Sequence, residues 1–402
     1  MTDEPPAHLA IGRPAVADPS GTCEPDAVSE IDLPAAPLEP PPVPPLAEAA
    51  LTGFGLRLSD DDHHRYDPAD VSWNESWFWD WFAPDGSHAG HCRIGHMPNQ
   101  QRVWLWLYLF DSTGVPGGEW VCIEQPWLDH NWLEVPALAY DRIGLRFRHE
   151  PLLPMASGRL TVHGPARIVT GPRASMVTTV DVEVAWAATG GPHSPGQGNV
   201  RGHTSEGFDA SRMEQPFDAT VRQAIGPHQV TYTARGERDH SWGPRFWNMD
   251  WTFLALSSGS RRTQFVEVGI KGLDPILLGY LSNGGTTHEL RSVDIDITDH
   301  HDSAQPFSGR VAVNAGDPTS RVGGDNEPSG HSIAGSIEVL TWCGLDVSHV
   351  LTPPRASDYR RSLIRLTPDD GGEPMMGWLE TNRLSAADPD KPDKPDLHSD
   401  PA

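Results

Sequence analysis

The feature that most constrains this chain is a strict alternation of apolar and polar residues, which recurs along much of its 402 residues. It is clearest over 180–186, 266–270 and 293–297, where an apolar side chain occupies every second position. A period of two places each set of side chains on one face of a strand, which is typical of antiparallel sheets. Turn sequences such as Ser282-Asn283-Gly284-Gly285 separate the runs. Since no long amphipathic helix is indicated beside these strands, the chain is predicted to be all-β.

Breaks in composition divide the chain into five segments. Residues 1–50 and 386–402 are rich in proline and acidic residues, which predicts disordered tails. A Gly/Pro/His-rich stretch predicts an interdomain loop over 191–215. The remaining segments, 51–190 and 216–385, are predicted to form two tandem antiparallel β-barrels or sandwiches.

The charge of the chain excludes several classes of partner. A formal net charge of −25 argues against nucleic acid, which is bound by basic surfaces. No apolar run approaches the roughly 20 residues of a membrane span, and the first residues lack the basic start and apolar core of a signal peptide. We therefore expect a cytoplasmic protein. No Walker or dinucleotide-binding glycine pattern occurs, so no nucleotide cofactor is predicted. The oligomeric state stays open.

The spacing of the cysteines bears on disulfide bonds, and two segments rich in Asp and His bear on metal binding. Cys23, Cys92, Cys122 and Cys343 are widely spaced, without a Cys-x-x-Cys pair, and are predicted to be reduced thiols. Asp60-Asp61-Asp62-His63-His64 and Asp299-His300-His301-Asp302 are dense in ligand groups. Neither has the spacing of a known zinc or iron site, so both are expected to be exposed polar loops. No metal site is predicted.

Tryptophan is concentrated in the first half of the chain. Nine of the 15 tryptophans lie between Trp73 and Trp132. In the second aromatic run, Trp104, Trp106 and Tyr108 alternate with leucines, and a strand that is apolar on both faces must be covered on both sides. One side could be a barrel lumen and the other a second domain. The rings either pack as core or line a cavity for an apolar ligand.

The first aromatic run places a carboxylate among indoles. Glu75 has the same parity as Trp73, Trp77, Trp79 and Trp81, so in a strand all five share one face. A carboxylate buried among rings needs a partner. The candidate partners are Arg93, Arg245 and His240.

The segment 236–247 combines acid, histidine, arginines and tryptophans within twelve residues. If Asp239 is held among tryptophans, its pKa rises toward the range of a general acid, whereas an arginine facing it keeps it ionised. Arg238 and Arg245 are the nearby arginines, and whether either of them faces Asp239 stays open. His240 could be a proton partner, a ligand donor or a structural hydrogen bond. Beyond the motif, Trp247 and Trp251 alternate along the next strand.

These residues carry a resemblance to a known family. Residues 236–245, GERDHSWGPR, resemble the signature of carotenoid 1,2-hydratase (hydroxyneurosporene synthase) and its relatives, as do 74–78 with Pro98-Asn99, 213–216 and 377–383. The resemblance implies two tandem lipocalin-like barrels. It also implies that an aspartic acid, here Asp239, protonates an isoprenoid double bond before water captures the cation. This chain has Asp-His-Ser-Trp where hydratases tend to have Asp-Arg-Glu-Trp. Other relatives resemble fungal pericyclases and lipid-binding survival factors.

Three functional hypotheses follow. In the first, the protein is an acid-catalysed hydratase, cyclase or isomerase of a hydrophobic, isoprenoid-like molecule, bound in an interdomain cleft. Asp239 is then the proton donor, with His240 and Arg245 holding it and Glu75 as a second acid or base. The pocket is predicted to be lined by Trp77, Trp79, Trp106, Trp242, Trp247 and Trp251. The second is a non-catalytic carrier of a lipid or terpenoid, and the third a pericyclase that needs shape and hydrogen-bond donors.

Overall fold

The computed structural model describes residues 36–47, 51, 56–113, 118–135, 137–194, 211–245, 247–270, 275–283, 286–299, 307–315, 331–351 and 356–385. The predicted C-terminal tail and most of the N-terminal one lie outside this part, as does Cys23. Within the described residues, no helix has the length and apolarity required to cross a membrane.

The first part of the chain forms one antiparallel sheet of eleven strands. Its strands are β1 (Trp73–Phe82), β2 (His88–Met97), β3 (Arg102–Asp111), β4 (Glu119–Asp129), β5 (Leu133–Glu134), β6 (Ala139–Arg142), β7 (Leu145–Leu153), β8 (Ser157–Ile168), β9 (Val177–Ala188), β10 (Ser211–Ile225) and β11 (His228–Pro244). The spatial order is β4-β3-β2-β1-β11-β10-β9-β8-β7-β6-β5. A further pairing of β4 with β8 curls this sheet back on itself.

The second part of the chain forms a closed antiparallel barrel whose strands follow chain order. They are β12 (Asp250–Ser258), β13 (Arg261–Gly269), β14 (Ile276–Asn283), β15 (Thr286–Asp299), β16 (Phe307–Ala315), β17 (Ser332–Leu345), β18 (Ser357–Pro368) and β19 (Met375–Leu384). β19 pairs with β12 and closes the ring. Eight strands in up-and-down order are the arrangement of lipocalins. The all-β, lipocalin-like prediction is confirmed.

The change from one sheet to the other falls later than the predicted interdomain loop. β10 pairs with β9 and β11, so residues after 216 that were predicted to open the second domain belong to the first sheet. The first sheet ends at Pro244 and the barrel begins at Asp250. Gly243 has a φ of 121° and Pro244 has no N–H to donate, which together end the strand ladder. Because apolar residues continue to alternate from β11 into β12, the sequence pattern does not indicate the boundary between the two sheets.

Among the described residues, three large apolar cores follow from the two faces of each sheet, beside a small cluster of Leu51, Leu56, Met155 and Met213. One lies inside the curled first sheet and includes Trp79, Trp81 and Trp186. Another fills the barrel and includes residues such as Leu254 and Leu366. The third lies between the sheet and the outer wall of the barrel, where side chains from β1–β4 meet others from β12, β13 and β17–β19. Strands β1 and β3 are therefore covered on both faces, which the sequence predicted for β3.

Free thiols and buried polar groups share these cores. Cys92, Cys122 and Cys343 are buried free cysteines, as predicted. In the core between the sheets, His91 is fully buried and stacks on Tyr108 with ring centroids 5.0 Å apart. Burial, with a smaller contribution from Arg361, holds the pKa of His91 well below its usual range.

One buried arginine joins the two sheets. The guanidinium of Arg361, on β18 of the barrel, contacts the carboxylates of Asp80 on β1 and Glu380 on β19. Its side chain is 1% exposed. Removing one partner of a buried ion pair leaves an uncompensated charge, which is costly.

We therefore predict that Arg361→Met destabilises the protein by about 3–5 kcal/mol, because Asp80 and Glu380 lose the cation that they share. Arg365→Met is the matched control, since Arg365 lies on the same strand in an exposed pair with Glu338 and should contribute less than about 1 kcal/mol. Urea unfolding at neutral pH measures both values. Equal losses in the two variants would contradict this role of Arg361.

A pH dependence follows from His91. Its pKa is lower in the native state than in the unfolded state, so the unfolded state binds a proton first as the pH falls below about 6.5. The stabilisation from neutral His91 is complete above that pH and is lost at lower pH. His91→Leu should reduce the acid loss of unfolding free energy by up to about 1.4 kcal/mol per pH unit. Urea titrations between about pH 7.5 and 5.5 test this, and identical slopes would contradict it.

Candidate active site

The pairing of β1 with β11 sets the geometry of the charged motif. Trp77 lies opposite His240 and Phe78 lies opposite Asp239 in this ladder. Residues that face each other across a ladder share a face of the sheet, whereas consecutive residues point to opposite faces. Asp239 therefore points toward the barrel, and His240 points into the first sheet.

The face that carries Asp239 opens on a cavity between the sheet and the barrel. The cavity volume is about 150 Å³, and Asp239 retains 15% of its side-chain exposure. Most of the wall is aromatic or aliphatic, and polar groups enter it from both sheets. The lining residues are Ser76, Phe78, Arg93, Trp106, Arg212, Asp239, Ser241, Pro244, Arg245, Trp247, Met249, Trp251, Phe253, Val266, Val268, Leu278, Val347, Tyr359, Arg361 and Glu380.

Asp239 is ion-paired with an arginine that the sequence analysis did not single out. Arg212 Nη2 donates to Asp239 Oδ2 at 3.0 Å, and Arg212 Nε donates to Glu214. Arg212 and Glu214 lie on β10, beside β11. Burial raises the pKa of Glu214 to about 8, despite its contact with Arg212, and the nearby Asp239 adds to that rise. Burial therefore favours the protonated form of Glu214 beside Arg212.

A second ion pair occupies the barrel side of the cavity. Glu380 accepts a hydrogen bond from Trp251 Nε1 at 2.6 Å and contacts Arg361. Burial raises the pKa of Asp80, the other partner of Arg361, to about 7, and Arg361 opposes that rise. Near neutral pH, Asp80 is therefore only partly ionised.

Two further arginines face the cavity and form no ion pair within the described part of the chain. Arg245 donates to Ser241 Oγ at 3.2 Å and lies 4.4 Å above the ring of Trp247. Arg93 donates to Asn74 at 3.3 Å and lies 5.0 Å from the ring centres of both Trp104 and Trp106. Burial lowers the pKa of Arg245 to about 10 and that of Arg93 well below its usual range. Buried cations without a counterion favour an anionic or electron-rich ligand.

The structure divides the sequence-predicted site residues into two groups. The first group lines the cavity: Trp106, Asp239, Arg245, Trp247 and Trp251. The second group lies on the other face of the first sheet: Glu75, Trp77, Trp79, His240 and Trp242. Adjacent positions on one strand cannot reach the same site, so His240 does not orient Asp239. The residues predicted for a single cleft therefore lie on two faces of the sheet.

On that other face, histidines surround Glu75. His240 Nε2 lies 3.0 Å from Glu75 Oε1, and His64 Nδ1 lies 2.8 Å from the same oxygen. His63 Nε2 lies 3.2 Å from Glu75 Oε2. Burial tends to raise the pKa of Glu75, but hydrogen bonds to His240 and His64 outweigh it and lower the pKa to about 2. Of the three partners proposed for Glu75, His240 is the one that contacts it.

The segment 60–64 was expected to be an exposed loop, and this expectation was wrong. Asp61 is buried and forms a 2.7 Å ion pair with Arg238, while His63 and His64 pack against Glu75. Residues 300–302 of the other ligand-rich segment lie outside the described residues. Arg238 therefore faces Asp61 and not Asp239, which removes one of the two arginines considered as its partner.

Four charged residues of the cavity were not among the predicted site residues: Arg93, Arg212, Arg361 and Glu380. Of these, Arg93 was named only as a candidate partner of Glu75. Arg212 and Glu380 stand in or beside segments that carry the family resemblance, so their positions held a usable signal. Arg93 and Arg361 lie in ordinary strand patterns, where an arginine is expected to face solvent. Their burial depends on contacts between distant strands.

Comparison with known families assigns the chain to a group. Residues 57–384 match the family described as a domain of unknown function, DUF7064. The chain belongs to this family. No curated protein matches its sequence. The finer resemblance to carotenoid 1,2-hydratase stays a prediction.

Similar solved structures have low sequence identity to this DUF7064 protein. CghA in complex with Sch210972 is 12% identical, with 80% of this chain and 94% of that chain covered and a TM-score of 0.48. An AttH-type protein from Nitrosomonas europaea is 13% identical, with 77% and 92% covered and a TM-score of 0.49. Kievitone hydratase from Nectria haematococca is 10% identical, with 77% and 89% covered and a TM-score of 0.44. Similarity at this level does not define the chemistry of a site.

The shared arginine leads to a prediction about Asp239. Arg212→Met removes the cation from both Asp239 and Glu214, so Asp239→Asn should cost less stability in that background than in the wild type. The expected coupling is about 0.5–3 kcal/mol in a double-mutant cycle measured by urea unfolding. Additive losses would show that Arg212 and Asp239 do not interact.

Proposed function

We propose that this protein is a proton-transferring lyase or isomerase. Its substrate is an apolar small molecule that carries a carbonyl, carboxylate or similar oxygen group, bound in the cavity between the sheet and the barrel. The observation that supports this most directly is the placement of Arg93 and Arg245, which form no ion pair among the described residues, on an aromatic wall beside Asp239.

The walls fit a largely apolar ligand. Phe78 and Trp106 of the sheet face Trp251 and Phe253 of the barrel, and aliphatic side chains of β13 and β14 extend the same surface. Ligand sites of this kind combine an apolar lining with a few convergent polar groups that fix orientation. The body of the ligand would bind the rings while one polar end meets the arginines.

The charges of the cavity favour an oxyanion over a carbocation. Four arginines line it with two carboxylates, Asp239 and Glu380, and each of these is already engaged by an arginine. A developing negative charge on oxygen gains from fixed cations that are already in place, since they need no reorganisation. A tertiary carbocation would be repelled by the same groups.

Asp239 is proposed as the proton-transferring group. The ion pair with Arg212 requires its carboxylate form, which suits a base that removes a proton from carbon beside a carbonyl. Arg245 and Arg93 would hold the resulting enolate oxygen. Return of the proton to another carbon gives an isomerase, and its transfer to a departing hydroxyl group gives a hydro-lyase.

The proposed reaction is still a proton transfer, as expected from the sequence, but Asp239 first removes a proton instead of donating one. Protonation of an isoprenoid double bond needs a neutral acid in an apolar setting, whereas Asp239 has a guanidinium 3.0 Å away. A substrate with an oxygen group adjacent to the reacting carbons removes this conflict. His240 and Glu75 have no part in the proposed reaction, because they lie on the other face of the sheet.

A carrier is the second candidate. It is favoured by the same ion pair, because Arg212 can hold Asp239 as a structural residue of the cavity rim. A carrier uses the aromatic wall and the free arginines for binding, and it leaves the bound molecule unchanged.

The charge of the ligand can be tested with two fluorescent probes of similar shape, anilinonaphthalene sulfonate and the uncharged N-phenylnaphthylamine. We predict that Arg245→Met weakens binding of the sulfonate by about tenfold or more, because a charge-assisted hydrogen bond contributes about 1.5–3 kcal/mol. Binding of the neutral probe should change little. Equal effects on both probes would contradict recognition of an anionic group.

Catalysis is tested separately by comparing wild type with Asp239→Asn. Small molecules that co-purify with each protein are extracted and identified by mass spectrometry, then offered to the purified proteins. The enzyme proposal expects a compound that wild type converts and Asp239→Asn binds without conversion. A compound bound equally and unchanged by both proteins would favour the carrier.

A further inference from the structure

A second cluster of ionisable side chains lies on the opposite face of the β1–β11 ladder. Glu75 Oε1 lies 2.8 Å from His64 Nδ1 and 3.0 Å from His240 Nε2. These three ligand atoms lie within 4.8 Å of one another. Glu75 and His240 are fully buried, whereas the side chain of His64 is 19% exposed.

The hydrogen bonds of His240 define which of its nitrogens carries a proton. Its Nδ1 lies 2.8 Å from the carbonyl oxygen of Asp60, and a carbonyl only accepts. Nδ1 therefore donates, and in a neutral ring Nε2 holds a lone pair. That lone pair faces a carboxylate oxygen of Glu75, which is also an acceptor. The contact needs positive charge between the two atoms, either a second proton or a metal ion.

The donor set matches a borderline divalent metal. Two imidazole nitrogens and one carboxylate oxygen, with a fourth position left open, form an established type of zinc site. Donors bound to one Zn²⁺ at roughly 2.0–2.2 Å lie about 3.4 Å apart in a tetrahedron, so small outward shifts of these atoms would admit the ion. His63 Nε2 lies beside this group, 3.2 Å from Glu75 Oε2.

Neighbouring groups hold the rings of His240 and His64 in fixed orientations. The Asp60 carbonyl fixes the ring of His240, which also stacks on Trp77 with centroids 4.5 Å apart. His64 stacks on Trp242 at 3.9 Å. Partners that hold the ring and tautomer of a ligand histidine increase metal affinity. The partial exposure of His63 and His64 provides a route for the ion.

We propose that His64 Nδ1, Glu75 and His240 Nε2 bind one divalent transition-metal ion, for which Zn²⁺ is the best match. The ion would fasten the segment 58–64 to β1 and β11 at one end of the curled sheet. Because its ligands face away from the cavity, this site is independent of the proposed reaction at Asp239.

The test uses the full chain, stripped with a chelator and titrated with Zn²⁺ by calorimetry and with Co²⁺ by visible absorption. We expect one ion per chain and the intense visible bands of tetrahedral Co²⁺. Glu75→Gln and His64→Ala should each weaken Zn²⁺ binding by at least about tenfold, since even outer partners of metal ligands contribute 10–100-fold. Zn²⁺ should also raise the melting temperature of wild type and not that of the variants.

His163→Ala is the matched control, because His163 forms a comparable histidine–carboxylate pair with Asp181 at 3.3 Å on the exposed surface. It should bind Zn²⁺ as wild type does. Circular dichroism identifies variants that retain the fold, and the partly exposed His64 provides a variant that leaves the buried pair intact. Absence of stoichiometric binding would overturn the proposal. So would a loss confined to His64→Ala with Glu75→Gln folded and unaffected, since the ion would then be held at the surface.

Discussion

The antiparallel pairing of β1 with β11 is the interaction on which both sites depend. β1 is buried on both faces and β11 is largely buried from Gly236 onward, so the charged residues in this part of the ladder need partners within the protein. Strand alternation then assigns consecutive residues to different compartments. Asp239 is directed to the cavity beside the barrel, and His240 to the cluster around Glu75.

Buried charges have different partners on the two faces of the sheet. On the cavity side, Arg212 and Arg361 each lie between two carboxylates, while Arg93 and Arg245 rest on indole rings. On the other side, one carboxylate is shared by three histidines. An excess of cations in an aromatic cavity suits a ligand with an oxyanion, and a carboxylate among imidazoles suits a metal ion. The same sheet thus separates the two proposed sites.

Sequence patterns predicted the class of fold well, since alternation along β9, β13 and β15 depends only on local geometry. They also predicted that Glu75 shares a face with indoles and that β3 is covered on both sides. They could not assign partners, because Arg361 meets Asp80 across 281 positions of chain and no local pattern encodes this contact. Proximity in sequence suggested that His240 assists Asp239, whereas the pleat of a strand separates them. The burial of His63 and His64 depends likewise on a tertiary contact.

We infer that Asp239, Arg93 and Arg245 form one ligand site, separate from His240. A crystal structure of the protein with anilinonaphthalene sulfonate would test this inference. We expect density for the rings between the aromatic walls of the sheet and the barrel, with the sulfonate at Arg245 or Arg93 and the Asp239 side chain in the same cavity. Density for the probe against His240 and Glu75, or an Asp239 side chain turned away from the cavity, would contradict it.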